Sequence, residues 1–331
     1  MTNQTFDLIA IGDSTIDTFI KIHEAALECD INKKDCRICV PYGTKVPVDA
    51  IDYGVAGNAA NVVIGCQKLG LKTAIYTNLG DDDQGARIKQ AFEKAGVFQN
   101  YVVVNHNMKS NLSVVLSYQG ERTIFVYHQD WYYQLPDLAE AKWVYLTSMA
   151  ETFTNSNIMD DVCHYLDRSR TKLVYSPGTF QLKANVKRYP RILEKCAVLI
   201  INREEALQIL ELKTADNIKM RDILAKLLML GPKVVVVTDS VEGSYATDGQ
   251  RFLKAGIVPV KVSEKTGAGD AYAAGLIAGL FKGEDLGEAM VMGTINASSV
   301  VSRLTTQGGQ LSYDEIVDKR KNLKDFQVIN I

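Results

Sequence analysis

No stretch of this 331-residue chain approaches the roughly 20 consecutive apolar residues that cross a bilayer. The nearest, LLMLGPKVVVV, is interrupted by Gly231, Pro232 and Lys233. The opening MTNQTFDLIAIGD lacks a basic segment ahead of an apolar run, so no signal peptide is expected and the cytoplasm is the expected location. An excess of one charge is also missing. Lys and Arg number 37 against 39 Asp and Glu, a net charge of −2, which argues against nucleic acid or a membrane surface as partner. The four histidines (His23, His106, His128, His164) are scattered. Cys36 and Cys39 form a C-x-x-C with no second pair, so no zinc site is expected. All six cysteines (Cys29, Cys36, Cys39, Cys66, Cys163, Cys196) are expected as free thiols, packed as small hydrophobes. Finally, the first apolar run leads into GDSTID rather than G-x-G-x-x-G, which weakens a dinucleotide-dependent oxidoreductase.

What is present is an alternation. DLIAIG (7–12), TAIYTNLG (73–80), WVYLTS (143–148), KLVYS (172–176), AVLIIN (197–202) and VVVVTD (234–239) read as short strands buried on both faces. Helical patterns over 58–69, 84–95, 157–169, 203–211 and 217–230 lie between them, and the chain is mainly helical from Asp270 onward. This order predicts an α/β fold with a mostly parallel central sheet flanked by helices. Two segments break it. Residues 18–52 are irregular, and NLSVVLSYQGERTIFVYH (111–128) reads as a hairpin turning at Gln119–Gly120. Together they predict a small β-strand lid on one large α/β domain made of 1–17, 53–110 and 129–331.

The stretch KTGAGDAYAAGLIAGL (265–280) carries the strongest chemistry. Backbone N–H groups at a helix start, uncovered by Gly267, Ala268 and Gly269, make a site for an anion. Thr266 is the expected cap, and Asp270 falls in the first turn, where the helix dipole favours a carboxylate. Helix stabilisation alone accounts for Asp270, as close packing does for Gly275 and Gly279. The functional alternative is phosphoryl transfer, with the carboxylate taking a hydroxyl proton beside an anion cradle.

With these residues in view, the chain resembles the ribokinase-like (PfkB) family of carbohydrate kinases. EKTGAGD (264–270) is similar to the C-terminal signature D-T-x-G-A-G-D, and AGNAANVVIGCQKLG (56–70) to the N-terminal G-G-x-x-A-N stretch. LGDDDQG, YQGERTI, NREE (202–205) and VTDSVEG (237–243) follow in the family's order. The resemblance implies a ribokinase-like fold and ATP-dependent phosphorylation of a hydroxyl on a small sugar or polyol. It implies Asp270 as catalytic base, with Gly267, Ala268 and Gly269 as the anion hole. Asp17, Gly57, Asn58, Asn61 and Arg122 would bind substrate. Capping of the 58–69 helix would explain Asn58 but not Asn61. Asn202, Glu205, Thr238, Gly243, Thr266, Asn296 and Ser299 would serve ATP, with Glu205 holding Mg²⁺ through water, unless Asn202 and Glu205 merely cap their helix. A homodimer through the lid is a further candidate.

Four positions depart from the family pattern. Ala56 replaces a glycine, Glu264 and Lys265 replace the first two residues of D-T, and Ser240 replaces the glycine of T-x-G. The Lys265 ammonium is a candidate stand-in for the monovalent cation that orders the anion hole in relatives, which leaves K⁺ dependence open. No cluster of bases marks the acceptor site, although Lys45 and Arg122 are within reach from the lid, so a free sugar is preferred to a sugar phosphate. Phe19, Tyr42, Phe125, Tyr127 and Trp131 would have to form a slot for a nucleoside, the second reading. A non-catalytic ligand sensor is the alternative outside the enzymes.

Overall fold

The computed structural model describes residues 5–30, 36–119, 121–213, 218–262, 265–303 and 308–331. Glu264 and Gly120 lie outside them, as does the first residue of the helix expected over 217–230. In chain order the first half forms β1 (Phe6–Ile11), β2 (Thr15–Lys21), β3 (Ala26–Cys29), β4 (Cys36–Cys39) and β5 (Ala50–Ala56). Then come α1 (Asn58–Lys68), β6 (Thr73–Gly80), α2 (Asp83–Ala95), β7 (Val102–Asn105), β8 (Asn111–Tyr118) and β9 (Glu121–Tyr127). The middle holds β10 (Ala141–Leu146), α3 (Ile158–Arg168), β11 (Lys172–Tyr175), α4 (Thr179–Lys183), α5 (Pro190–Lys195), β12 (Cys196–Asn202) and α6 (Arg203–Ile209). Next are α7 (Met220–Leu228), β13 (Val234–Thr238), β14 (Ser244–Thr247) and β15 (Phe252–Ala255). The chain closes with α8 (Ala268–Lys282), α9 (Leu286–Val301), α10 (Tyr313–Asn322) and β16 (Ile329–Asn330).

Among the described residues, ten strands form one sheet in the order β16-β15-β14-β13-β12-β11-β10-β1-β6-β7. It is parallel from β7 through β13 and antiparallel beyond. The apolar runs are buried on both faces because helices cover both. One core, around Ala10, Ile75 and Val236, lies under α1, α8 and α9. The other, around Ile9, Val144 and Leu199, lies under α3, α5, α6 and α7. No described helix is long and apolar enough to cross a membrane.

The two irregular segments meet in a second sheet of order β5-β2-β8-β9. Its strands run past both ends of 18–52, from Thr15 to Ala56. Asp17 shares a row with Gly54, Ser113 and Val126. The next row, on the opposite face, holds Thr18, Tyr53, Val114 and Phe125. That face is apolar and open: Tyr53 is 52% and Phe125 57% exposed.

The expectation of six free thiols fails at one pair. Cys29 and Cys36 are bonded to each other, and Cys39, Cys66, Cys163 and Cys196 are free. The cause is the β3–β4 pairing, which sets Cys29 directly opposite Cys36 with their Cα atoms 4.0 Å apart. No spacing in the sequence shows that hairpin.

Candidate active site

Helix α8 starts at the carboxyl side of the large sheet. Gly267, in the left-handed region at φ 81°, is its N-cap. The expected Thr266 cap is therefore replaced by backbone geometry that a Cβ would strain. A side chain built at Gly269 would meet nothing within 4 Å, so the helix start is open to an approaching group. Asp270 follows in the first turn.

Asp270 does more than answer the helix dipole. Asn61 Nδ2 donates to its Oδ2 at 2.8 Å, and Asn58 also donates to the carboxylate. Both asparagines come from the first turn of α1. Its N-cap is Gly57, and neither asparagine caps it with its side chain. Gly57 sits at φ 94°, and a Cβ there would lie 2.8 Å from the Asp13 carbonyl oxygen and 2.9 Å from Ser14 Cα. This close approach explains the glycine. The Asn58 Oδ1 accepts Ser148 Oγ–H at 3.1 Å, which turns its amide nitrogen towards Asp270. Asn61 Oδ1 is buried with no protein partner.

Burial pushes the Asp270 carboxyl up to about 6; the asparagine hydrogen bonds pull it down, and the charge of nearby Asp17 pushes it up again. Asp17, on β2 and 6% exposed, therefore belongs to the same pocket. A carboxyl of this character is suited to accept a proton near neutral pH.

Asn202 ends β12 beside Thr238 at the end of β13. Asn202 Oδ1 accepts Glu205 N–H at 2.9 Å and Glu205 Oε2 accepts Asn202 N–H at 2.9 Å, so the capping pair is formed. The Glu205 carboxyl is nevertheless raised, by burial first, against the Asn202 hydrogen bonds, with Glu204 and Asp270 adding repulsion. It thus senses Asp270 across the cleft. Gly243, at φ 90°, closes the turn after β13, where Asp239 N–H donates to its carbonyl at 2.8 Å. Ser240 adopts φ 46°, the left-handed backbone for which a glycine is usual.

Three further assigned residues have settings of their own. Asn296 is 0% exposed. Its amide donates to Ala271 O and to Gln310 Oε1, both at 2.8 Å, and its Oδ1 accepts Leu311 N–H at 3.0 Å. It braces α8 against the segment after α9. Ser299 is half-buried on α9, its carbonyl accepting Ser302 Oγ–H at 2.7 Å. Arg122 shares the Asp17 face of the small sheet but lies four residues further along it, opposite Ser117. That is about 13 Å at the rise of a strand, beside the sheet tip, where Glu121 meets Lys265 Nζ at 3.5 Å. The aromatics do not converge either. Trp131 is buried in the large core, Tyr42 is fully exposed, and Phe125 and Tyr127 lie on the outer face, which leaves Phe19 alone beside Asp17. Asp13, Asn111, Tyr133 and Ser148 surround the site and were missed. Only Asp13 had a visible signal, in GDSTID.

A buried carboxylate at an open helix start, beside the carboxyl ends of β12 and β13, is an arrangement that suits a phosphotransferase, and the α/β fold is ribokinase-like. Residues 19–312 match the pfkB family carbohydrate kinase profile, and the chain belongs to that family. It is an ATP-dependent kinase of a carbohydrate hydroxyl. It is 28% identical over 331 residues to a 5-dehydro-2-deoxygluconokinase of Shouchella clausii, covering 94% of each chain. The same enzyme of Bacillus subtilis is 26% identical, over 95% of each chain. Among solved structures, Arabidopsis thaliana ribokinase complexed with ribose and ATP superposes with a TM-score of 0.79 at 19% identity, over 95% of this chain and 98% of that one. The relatives do not favour the nucleoside, sugar-phosphate or sensor readings.

Proposed function

We propose that Asp270 takes the proton of a sugar hydroxyl as that oxygen attacks the terminal phosphate of ATP. The observation that carries this is the Asp270 carboxylate, held by Asn58 and Asn61 beside Asp17 at the open start of α8. Asp17 and the asparagines would hold neighbouring hydroxyls of the acceptor, since a carboxylate accepts and an amide does both. Thr266, Gly267, Ala268 and Gly269 would cradle the transferring group, where developing negative charge meets the helix N-terminus. Thr238 and Gly243 would border the nucleotide.

The residues fit Mg²⁺ carried by the nucleotide rather than caged by protein. No group of three or more metal-ligating side chains occurs among the described residues. Glu205, in the negative field of Glu204 and Asp270, would hold the ion through water. When bound, Mg²⁺ neutralises charge on the phosphates.

Two coherent relatives, each covered nearly end to end, favour a six-carbon sugar acid of the 5-dehydro-2-deoxygluconate kind as acceptor. The small sheet with its β3–β4 hairpin would act as the lid that excludes water. Its open apolar face, with Ile51, Tyr53, Phe125 and Tyr127, suits pairing with a second copy. Sedimentation of wild type and Phe125→Glu would test that pairing. Use of ATP and four free thiols suit the cytoplasm, where the exposed Cys29–Cys36 pair would be kept reduced. The deciding experiment is ADP release from Mg-ATP over 5-dehydro-2-deoxygluconate, neutral sugars, nucleosides and hexose phosphates, with Asp270→Asn alongside. Turnover confined to the sugar acid and lost in the variant supports the reading. Turnover that survives in Asp270→Asn refutes the base.

A further inference from the structure

The chain crosses between the two sheets four times, and all four crossings meet at one buried cluster. The small sheet is entered at Ser14–Thr15 and Asn111, and left at Ala56–Gly57 and just before Gln129. Asp13, 5% exposed, lies at the centre. Its two carboxylate oxygens accept the Tyr133 hydroxyl at 2.9 and 2.8 Å, and Oδ2 also accepts Ala150 N–H at 2.9 Å. The Asn111 side chain is a further donor. Asn111 Nδ2 also donates to Ser14 O at 3.3 Å, while its Oδ1 accepts Gln129 N–H at 2.9 Å, so one side chain ties three of the crossings. The fourth is held by contact, since Gly57 rests on Asp13 O and Ser14 Cα.

The same cluster reaches the base. Asp13 N–H donates to Ser148 O at 2.8 Å, Ser148 Oγ–H donates to Asn58 Oδ1, and Asn58 donates to Asp270. A carboxylate is an expensive choice for this position. Burial pushes Asp13 up to about 7 in spite of hydrogen bonds from Tyr133, Ala150 and Asn111, and no cation among the described residues offsets the cost. An acceptor-only group with two oxygens is, however, what a convergence of a hydroxyl and two N–H donors requires. A buried network with every member satisfied rigidifies what it joins.

We propose that Asp13 is a positioning residue, whose carboxylate sets the angle of the small sheet over the site and, by holding Ala150 N–H in the turn that carries Ser148, the bearing of Asn58 and Asp270. The inference rests on the reading of that sheet as the lid of a kinase. Asp13→Asn keeps the shape but turns a donor towards donors. In the variant, hydrogen exchange should rise in 111–118, 121–127 and 50–56 while 141–146 and 196–202 stay protected. Sugar phosphorylation should lose about 10²-fold in kcat, the scale of a slightly misplaced base. KM for ATP should be unchanged, and more ATP should be hydrolysed per sugar phosphorylated. Tyr133→Phe, which keeps the carboxylate and the packing, should move each readout the same way by less.

Wild-type exchange and kcat in Asp13→Asn overturn the proposal. So does a uniform rise in exchange across both sheets, which would make Asp13 a general support of the fold. The exchange readout needs no substrate, so it decides for or against Asp13 even where no sugar turns over, an outcome that counts against the kinase reading alone.

Discussion

Replacing Asp270 by asparagine should inactivate the protein and stabilise it. Burial first, and the charge of Asp17 last, lift this carboxyl from 3.8 to about 6. At about 1.4 kcal/mol per pH unit, that lift opposes the ionised form by about 3 kcal/mol. The folded state thus holds the proton more tightly than the unfolded chain. The resulting stabilisation is fully present below pH 3.8 and is lost as pH rises through about 6. Asparagine carries no charge at any pH, so it escapes the loss. It keeps one acceptor for Asn61 or Asn58 and presents an amide to the other, which returns about 1 kcal/mol. Asp270 is also partly open to water, which trims the gain further. At about pH 7.5 the variant should therefore be more stable by about 1–2 kcal/mol, with the advantage gone by about pH 4. Urea unfolding at the two pH values measures this. Turnover, followed by ADP release, should fall by about 10²–10⁴, the usual worth of a positioned general base. An inactive variant no more stable than wild type at the higher pH would show that the carboxylate is not held at a cost, and the argument from burial would fail.

The pH dependence of kcat/KM should show an acid limb near 6, falling about tenfold per pH unit as Asp270 takes up its proton; a flat profile down to pH 5 would exclude Asp270 as the titrating base. Gly275→Ala should destabilise by about 1–3 kcal/mol in urea, because the new methyl would lie 2.6 Å from Met292 O in the α8–α9 seam. The Lys265–Glu121 pair joins two exposed side chains, so Glu121→Gln should change stability by less than about 1 kcal/mol. If the Lys265 ammonium serves in place of a monovalent cation, activity in Tris buffer should not respond to KCl, and a several-fold rise would rule that out.

The large sheet was legible because its strands are covered on both faces and so are written as unbroken apolar runs, VVVVT and AVLIIN among them. Strands β14 to β16 were not. SYAT and FLKA are short and mixed, and they become strands by pairing in turn, SYAT with β13 and FLKA with β14, rather than by any pattern of their own. Within the site, TGAGD and GNAAN were readable as motifs, but the contacts between them were not. Nothing local in AGNAAN says that Asn61 will meet a carboxylate 209 residues away. Asn296 illustrates the same point. A polar residue on a helix reads as available for a ligand, and only the fold shows its amide spent on Ala271, Gln310 and Leu311. Asp13 was passed over because the sequence shows a carboxylate after a strand but not the four chain crossings that converge on it.

The glycines and alanines that follow TGAGD acquire a purpose from the same geometry. For Asn61 to reach Asp270, the first turns of α1 and α8 must stand side by side at the same height on the sheet. A side chain of ordinary size between the two helices would hold them apart. Gly65 of α1 sits where a methyl would lie 2.8 Å from the Ala274 Cβ of α8, and Gly275 and Gly279 let α9 press on the other side of α8. Packing this close transmits small displacements without loss. The seam therefore acts at a distance, because it sets the 2.8 Å between the Asn61 amide and the Asp270 carboxylate. The run AYAAGLIAGL is thus a spacer whose thickness is fixed by the hydrogen bond at its end. The small residues of the motif and those of the helix behind it answer to one requirement, close approach: the first leave the helix start open, as the proposed phosphate cradle needs, and the second let Asn61 reach Asp270.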